Sequence, residues 1–355
     1  MGVVGLPRPP LGSPLPFRTE FWWESSIPLD QTGHAWLPAM LPILMRAHDP
    51  GVFSAPLDWK ALENVPMIEA KLSGWWSYLD QIRIAAEKDY RVYPSGRGTG
   101  CFFSGGADSF YSVIDNLDEI THLIFVRQGF DIGSHERGLA LASFRQLELA
   151  AAELGKELIV VHTNVRRMAN KYSSWGPRYH GAALATVGLL HAERLASAIV
   201  PSSHAPRSDE TVELHPWGSH PELDHLWSTS YFDIRHHGDD KYRHEKIAAI
   251  AKNNVALRYL RVCWENPDQV YNCGVCEKCV RTMVELYAYE ALESCATLPN
   301  TVDLELLASQ PLDGHGITFA RRNAQLIEEN VAPGDPVAGA LRKSLAASGA
   351  AEPKA

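Results

Sequence analysis

The 355-residue chain has no apolar run approaching the length that spans a bilayer, and its opening, Met-Gly-Val-Val-Gly-Leu-Pro-Arg-Pro-Pro, is too short and proline-rich for a signal peptide. A cytoplasmic protein without membrane attachment is the expectation. There is no surplus of positive charge either. The 33 lysines and arginines stand against 42 aspartates and glutamates, a formal charge of −9, which disfavours a broad basic surface for nucleic acid and favours a small-molecule or protein substrate. No internal repeat is present. No Gly-Lys-Ser/Thr follows a glycine pair, which excludes a Walker A loop, and the absence of Gly-x-Gly-x-x-Gly excludes the dinucleotide fingerprint. His-Glu-x-x-His is missing too, although seven of the 15 histidines lie between His204 and His244. Without a tight ligand pattern that crowding predicts no metal: His236 and His237 read as a solvated turn beside Gly238-Asp239-Asp240, and a histidine acting as general base on an acceptor is the better use of them.

What is there begins with a hydrophobic content of 45%, ample for one large α/β domain and an accessory region. Residues 101–109 read Cys-Phe-Phe-Ser-Gly-Gly-Ala-Asp-Ser, a short apolar strand running into a glycine pair and then into an apolar stretch that opens a helix. Gly105 and Gly106 let the backbone turn tightly and expose N–H groups, while Ser104 and Ser109 add hydroxyl donors at a helix start. Phosphate is the natural guest of such a loop. A carboxylate beside phosphate is costly unless a cation intervenes, so Asp108 implies a divalent ion, with Mg²⁺ the expectation.

The six cysteines are unevenly placed: Cys101 and Cys295 stand apart, whereas Cys263, Cys273, Cys276 and Cys279 crowd together. Cys273-Gly274-Val275-Cys276-Glu277-Lys278-Cys279 puts three thiols at two-residue gaps, so one tight turn can aim them at a common point, and Cys263 on a preceding strand supplies a fourth. Four thiolates make a closed tetrahedral zinc site with no position for water. Such a site staples the segment ending at Cys263 to a helix beginning near Cys279. An iron–sulfur cluster or a redox Cys-x-x-Cys pair are the alternatives from the residues alone.

Ser104-Gly105-Gly106-Ala107-Asp108-Ser109 resembles the Ser-Gly-Gly-x-Asp-Ser loop of the PP-loop ATP pyrophosphatases, which sits at the end of the first strand of a parallel sheet in enzymes that cleave ATP between its α and β phosphates. Cys263, the Cys273-Gly274-Val275-Cys276 run, Cys279 and Arg281 are similar to the zinc-binding end of one branch of that family, the 7-cyano-7-deazaguanine synthases. The two motifs stand in the same order here, and the resemblance covers roughly residues 98–292. It implies ATP, Mg²⁺ and structural Zn²⁺ as cofactors, with Ser104, Gly105, Gly106, Asp108 and Ser109 on the nucleotide. The backbone around Val126 and the following Arg127-Gln128-Gly129-Phe130-Asp131 would read adenine. Gly181 would let a helix start approach the ribose, and Asp108, Ser109 and Arg281 would be catalytic.

The chain between the motifs supports a doubly wound parallel α/β sheet. Strands are expected at 122–126, 157–162, 198–202 and 256–263, and helices at 136–154, 179–195 and 242–253, with ligands at the carboxyl ends of the strands. Thr163-Asn164 and the long, aromatic-studded segments Ser202-Ser203-His204-Ala205-Pro206-Arg207 and His215 to Ser228 lie at those ends. Lys241, Arg243, Lys246 and Arg281 are candidates to neutralise a departing pyrophosphate, each equally readable as helix surface. Residues 1–95 read as a small accessory region, a dimerisation element that would make a homodimer, or part of an acceptor pocket, with a strand near Phe21-Trp22-Trp23 and a helix over 71–87. Residues 96–300 form the PP-loop-like domain with its four-cysteine zinc site, and 301–355 a helical extension (303–309, 319–330) whose tail after Gly339 ends in disorder.

The expected activity is adenylation of a carboxylate or amide oxygen of a small-molecule acceptor, releasing pyrophosphate, followed by displacement of AMP by a nitrogen or sulfur donor, C–N bond formation being favoured. Two alternatives are a non-catalytic nucleotide-binding protein and a tRNA-thiolating enzyme using Cys101 or Cys295. The negative charge and the lack of paired cysteines outside the cluster disfavour the second.

Overall fold

A computed structural model describes residues 2–6, 17–130, 132, 136–203 and 216–349. The chain divides into two compact units, each assembled from separate segments: Met1–Phe103, Asn116–Ala140 and Gly155–Asp240 form the first, and Ser104–Asp115, Leu141–Leu154 and Lys241–Ala355 the second.

The first unit is built on a six-stranded sheet of β1 (Trp23–Ser25), β2 (Gly98–Phe102), β3 (His122–Gln128), β4 (Glu157–Thr163), β5 (Leu195–Pro201) and β6 (Asp233–His237). Their order is β6-β5-β2-β3-β4-β1. All neighbouring pairs are parallel except β1, which runs antiparallel to β4 with Thr163 opposite Trp23. The fold is therefore mixed α/β with a mostly parallel central sheet. Two of its inner strands carry unbroken apolar segments, Leu123-Ile124-Phe125 and Ala198-Ile199-Val200 being buried throughout, as strands covered on both faces are. Chain order moves outward from β2 through β3 to β4 and then returns to the other side of β2 at β5. The reversal of strand order thus falls between β2 and β5, the kind of switch point outside which α/β sheets bind ligands.

Residues from the first hundred share this core. Met40, Leu41, Ile43 and Met45 of α1 (Trp36–Ala47) and Ile68 of α2 (Trp59–Trp75) lie in one apolar cluster with Ile124, Ile159 and Val200. Helix α2 precedes the position expected from sequence. Asp58 caps it, Oδ1 accepting from the backbone N–H groups of Lys60 (3.1 Å) and Ala61 (3.0 Å), and the helix ends at Trp75, so Leu79, Ile82 and Ile84 follow in non-helical chain. Their spacing imitates a helical stripe without being one. The helix expected over 179–195 is shorter as well. A π-helical turn at Trp175–Tyr179 leads into α5 (His180–Leu189), and the chain turns before Leu195 enters β5.

Strand β6 corrects the reading of His236 and His237 as a solvated turn. Its sequence, Asp-Ile-Arg-His-His, has no apolar alternation; its order comes from backbone pairing at the sheet edge, with Val200 opposite His236 and Pro201 opposite His237.

The second unit is helical: α3 (Ala107–Asp115), the last part of α4 (Arg137–Glu153), α6 (Arg243–Ile250), α7 (Asn254–Tyr259), α8 (Glu277–Ala288), α9 (Leu304–Ser309), α10 (Gly314–Asn330) and α11 (Pro336–Ala347). The strand expected over 256–263 is instead α7 followed by irregular chain. The Asn253 side chain accepts from Ala256 N (2.9 Å) and so caps a helix start, a local bond that the apolar count of Val-Ala-Leu-Arg-Tyr-Leu does not reveal. A further helix, α11, runs past Gly339. Asp335 caps α11 by accepting from Val337 N (2.8 Å), Pro336 suits the first helical turn, and Val337, Ala338, Leu341 and Leu345 join an apolar core with Val284, Leu307 and Ile327. Residues 350–355, on which the expectation of terminal disorder fell, lie outside the described residues.

Candidate functional site

The loop that leaves β2 belongs to the second unit. Gly105 has φ +76°, the left-handed region, so the turn needs glycine on conformational grounds, and a Cβ there would also have to displace Leu147 Cδ2, 2.8 Å away. Its carbonyl accepts from Arg261 N (2.8 Å). Gly106 then starts α3: its carbonyl accepts from Phe110 N (2.9 Å) and from Ser109 Oγ (3.0 Å). Ser104 Oγ and Ser109 Oγ lie 3.5 Å apart, so both hydroxyls flank a helix N-terminus whose first N–H groups have no intrahelical acceptor.

Asp108, in the first turn of α3, is held by a charge that the sequence did not single out above its neighbours. Lys246 Nζ on α6 donates to Asp108 Oδ1 at 3.0 Å, and the lysine side chain is only 2% exposed against 26% for the aspartate. Burial pushes the Asp108 carboxyl upward, but Lys246, Arg243 and Lys278 together outweigh it and leave the group below its ordinary range. Arg243, one turn before Lys246, donates through Nε to Glu285 Oε2 (3.1 Å) and through a terminal nitrogen to Thr282 Oγ1 (2.8 Å). Glu285 is buried, and burial raises its pKa against the pull of Arg243 and Arg281. Arg281 stacks its guanidinium 3.8 Å from the Phe319 ring centroid and lies 3.5 Å from Glu277 Oε1. Burial, then repulsion from Arg243, brings it down to about 10. Arg281 is thus packed into a charged network that also contains Arg243 and Glu285.

Thr282 and Glu285 were not foreseen. The signal was available: Lys278, Arg281, Thr282 and Glu285 recur at helical spacing on α8, a polar stripe on a helix that is otherwise buried.

The four clustered cysteines converge as expected. Their sulfurs all lie within 4.8 Å of one another, Cys263 to Cys276 at 3.9 Å and Cys273 to Cys279 at 3.8 Å. A tetrahedron of sulfurs about 2.3 Å from a central ion has edges of about 3.8 Å. The spacing therefore fits a single metal ion such as zinc; interposing several irons and sulfides would spread the ligands further. Cys276 is the N-cap of α8 and Cys279 lies in its first turn, where a helix N-terminus favours thiolate. Their mutual contact lowers Cys276, to about 4, and raises Cys279. Gly274, at φ +74° and packed against Pro299, makes the turn between the second and third sulfurs. Cys101 and Cys295 are buried elsewhere, and burial drives the Cys101 thiol well above the usual range against the pull of Arg235, which does not suit a sulfur carrier.

Of the remaining predicted residues, Lys241 opens the last segment of the second unit, and Val126, Gly129, Thr163, Asn164 and Gly181 belong to the first. Val126 is half-buried near the end of β3 against the apolar core. Gly129 has φ +98°, and a Cβ there would sit 2.0 Å from the Thr163 carbonyl. Thr163 Oγ1 donates to Trp22 O (2.8 Å), and Asn164 accepts from Trp22 N (3.0 Å). A Cβ on Gly181 would meet Gly218 O at 1.9 Å: the close approach this glycine permits is to the chain's own backbone, which explains it without a ribose. Asp131, His204 to Arg207 and His215 lie outside the described residues. Three other histidines of the crowded stretch are engaged locally. His236 Nδ1 is 2.7 Å from Asp224 Oδ2, His237 accepts from Asn116 Nδ2 (2.9 Å), and His220 accepts from Glu222 N (3.1 Å). Among the described residues only the cysteines reach metal-ligand spacing.

No protein-family model matches this chain, and no curated protein and no solved structure matches it, so its site is characterised by its own chemistry alone.

Proposed function

We infer that this chain is an ATP-dependent adenylating enzyme of the PP-loop ATP pyrophosphatase type. The observation that carries the reading is the ion pair between buried Lys246 and half-buried Asp108 at the start of α3, beside a Ser-Gly-Gly loop whose first glycine is left-handed. With Arg243 and Lys278 acting on the same carboxylate, cationic charge gathers where a helix N-terminus and two serine hydroxyls present donors. That combination suits a polyphosphate.

In the reaction, a carboxylate or amide oxygen of a small acceptor attacks the α phosphorus, the bond to the β phosphate breaks, and pyrophosphate leaves. Ser104, Ser109 and the first-turn N–H groups orient the phosphate chain, while Lys246 and Lys278 stabilise negative charge developing on the leaving group. A nitrogen or sulfur nucleophile then displaces AMP. Magnesium would enter with the nucleotide, most of its oxygen ligands coming from phosphate and water, and would add charge neutralisation. Asp108 fits a single contact to it: Oδ1 is held by Lys246, whereas Oδ2 has no hydrogen-bond partner among the described residues. Zinc fits the four thiolates, and four sulfur ligands leave no position for a reacting water.

The test is incubation of the full chain with α-labelled ATP, Mg²⁺, ammonium and a panel of carboxylic acids and amides. Equal amounts of AMP and pyrophosphate are expected with an accepted substrate. ADP and phosphate without AMP overturn the reading, and tight ATP binding with no cleavage across the panel supports the non-catalytic alternative.

A further inference from the structure

The glycine loop and the cysteine cluster hang on the same few residues. Arg261 N, two residues before Cys263, donates to Gly105 O at 2.8 Å. Tyr271 stands two residues before Cys273, and its Oη would be 3.5 Å from a Cβ on Gly105; the same Oη donates to Tyr259 O at 2.7 Å. Asn272 ties the two segments together. Its Oδ1 accepts from Val262 N (2.8 Å) and Cys263 N (3.1 Å), and its Nδ2 donates to Leu260 O (2.9 Å) and Thr297 O (3.1 Å). Both stretches of chain that deliver sulfurs thus also border the loop. A second route runs through α8, whose N-cap is Cys276 and whose Thr282 and Glu285 hold Arg243 on the helix that carries Lys246.

We propose that Arg261, Tyr271 and Asn272 are positioning residues through which a metal on the four cysteines sets the conformation of the Gly105–Gly106 loop, so that metal binding and anion binding are coupled. Four sulfurs fixed on one ion hold Cys263 and Cys273 in register, Asn272 then keeps Val262 and Cys263 in place, and Arg261 N stays aligned with the Gly105 carbonyl. Without the ion the thiols have only weak sulfur contacts to hold that register. Linkage makes the coupling reciprocal: whatever factor metal adds to anion affinity, the anion adds to metal affinity. The loop as an anion site rests on the proposed function; its mechanical dependence on the metal does not.

The experiment uses the full chain. Zinc affinity is measured by competition with 4-(2-pyridylazo)resorcinol, with and without inorganic pyrophosphate, and pyrophosphate affinity by calorimetry on zinc-loaded and zinc-free protein. Amide hydrogen exchange of residues 104–109 is followed alongside. Expected are equal factors in the two titrations, each of at least about fivefold, and exchange at 104–109 accelerated on zinc removal. Tyr271→Phe and Asn272→Ala still bind zinc, but their coupling factor falls toward one. Exchange at 104–109 that is the same with and without zinc overturns the proposal, as does coupling untouched by both variants. If zinc-free protein unfolds globally, zinc-loaded Asn272→Ala decides: faster exchange at 104–109 than in the parent supports the latch, and equal exchange sinks it. Pyrophosphate that fails to bind zinc-loaded protein defeats the anion-site reading alone, because hydrogen exchange still judges the latch.

Discussion

Lys246 and Asp108 form an ion pair of 3.0 Å with unequal ends, the lysine 2% exposed and the aspartate 26%. The ammonium is shut off from water and the carboxylate is not, so losing the pair costs the lysine side more. Asp108 therefore serves the fold as well as any ligand.

That asymmetry predicts the stability of the two single variants. Asp108→Ala takes the carboxylate away from a buried ammonium and is expected to destabilise the protein by about 3–5 kcal/mol. Lys246→Met fills the same volume without charge, leaves a carboxylate with access to water, and costs less. Urea unfolding of both variants checks the order, and equal losses would contradict it. Asp108→Asn, which keeps a hydrogen-bond acceptor for Lys246, is the variant in which to look for loss of AMP release.

The pH dependence follows from two groups shifted in opposite directions. Asp108 lies below its ordinary value, so its contribution is fully present above the unfolded carboxylate range, about pH 4, and is lost as pH falls through the folded value. Glu285 is raised by burial, so its contribution is present below about pH 4 and is lost as pH rises through its folded value. Stability measured from pH 7 to pH 2 should fall less steeply below pH 4 in Asp108→Asn than in the parent. Glu285→Gln, which keeps the shape without the titration, should gain on the parent as pH rises above the unfolded carboxylate range, about pH 4. Parallel curves for all three proteins would refute the assignment.

One metal ion per chain is expected from sulfurs placed at tetrahedral edges. Elemental analysis should find a single zinc, and cobalt substitution should produce the intense visible bands of tetrahedral thiolate. Cys263→Ser should lower metal affinity and the melting temperature together, because binding energy at such a site is folding energy. Several irons per chain with acid-labile sulfide would exclude the mononuclear reading.

Glycine substitutions should separate flexible neighbours from rigid ones. At Gly181 a Cβ meets the Gly218 carbonyl at 1.9 Å, whereas at Gly105 it meets the end of the Leu147 side chain at 2.8 Å, with a left-handed φ of +76° besides. Backbone cannot move aside as a leucine methyl can. Gly105→Ala is expected to cost about 1–3 kcal/mol, and Gly181→Ala more. Thermal melts of the two variants give the comparison.

Much of this architecture was legible one segment at a time. The strands β3, β4 and β5 carry short apolar runs (Leu123 to Val126, Leu158 to Val161 and Ala198 to Val200), and α4, α9 and α10 carry clear helical spacing or caps, so local pattern suffices for them. Where pattern failed, a single hydrogen bond or a neighbouring strand decided. Asn253 turns an apolar run into α7, and β6 takes its order from β5 rather than from its own residues. The cysteine cluster was legible because metal ligands keep a fixed spacing in sequence. The partners of Asp108 were not, since Lys246 looks like any helix-surface lysine until it is buried.

The sequence by itself therefore determined which groups are present: a glycine loop with two hydroxyls and a carboxylate, four thiols at ligand spacing, and strands that must be covered on both faces. Only the tertiary structure decided what those groups meet. It buried Lys246 against Asp108, stacked Arg281 on Phe319, set the Gly181 backbone against Gly218, and hung the Gly105 carbonyl on the segment that delivers Cys263. The division has a physical cause. Backbone propensity and ligand spacing act over a few residues, whereas desolvation and ion pairing depend on neighbours supplied from distant parts of the chain.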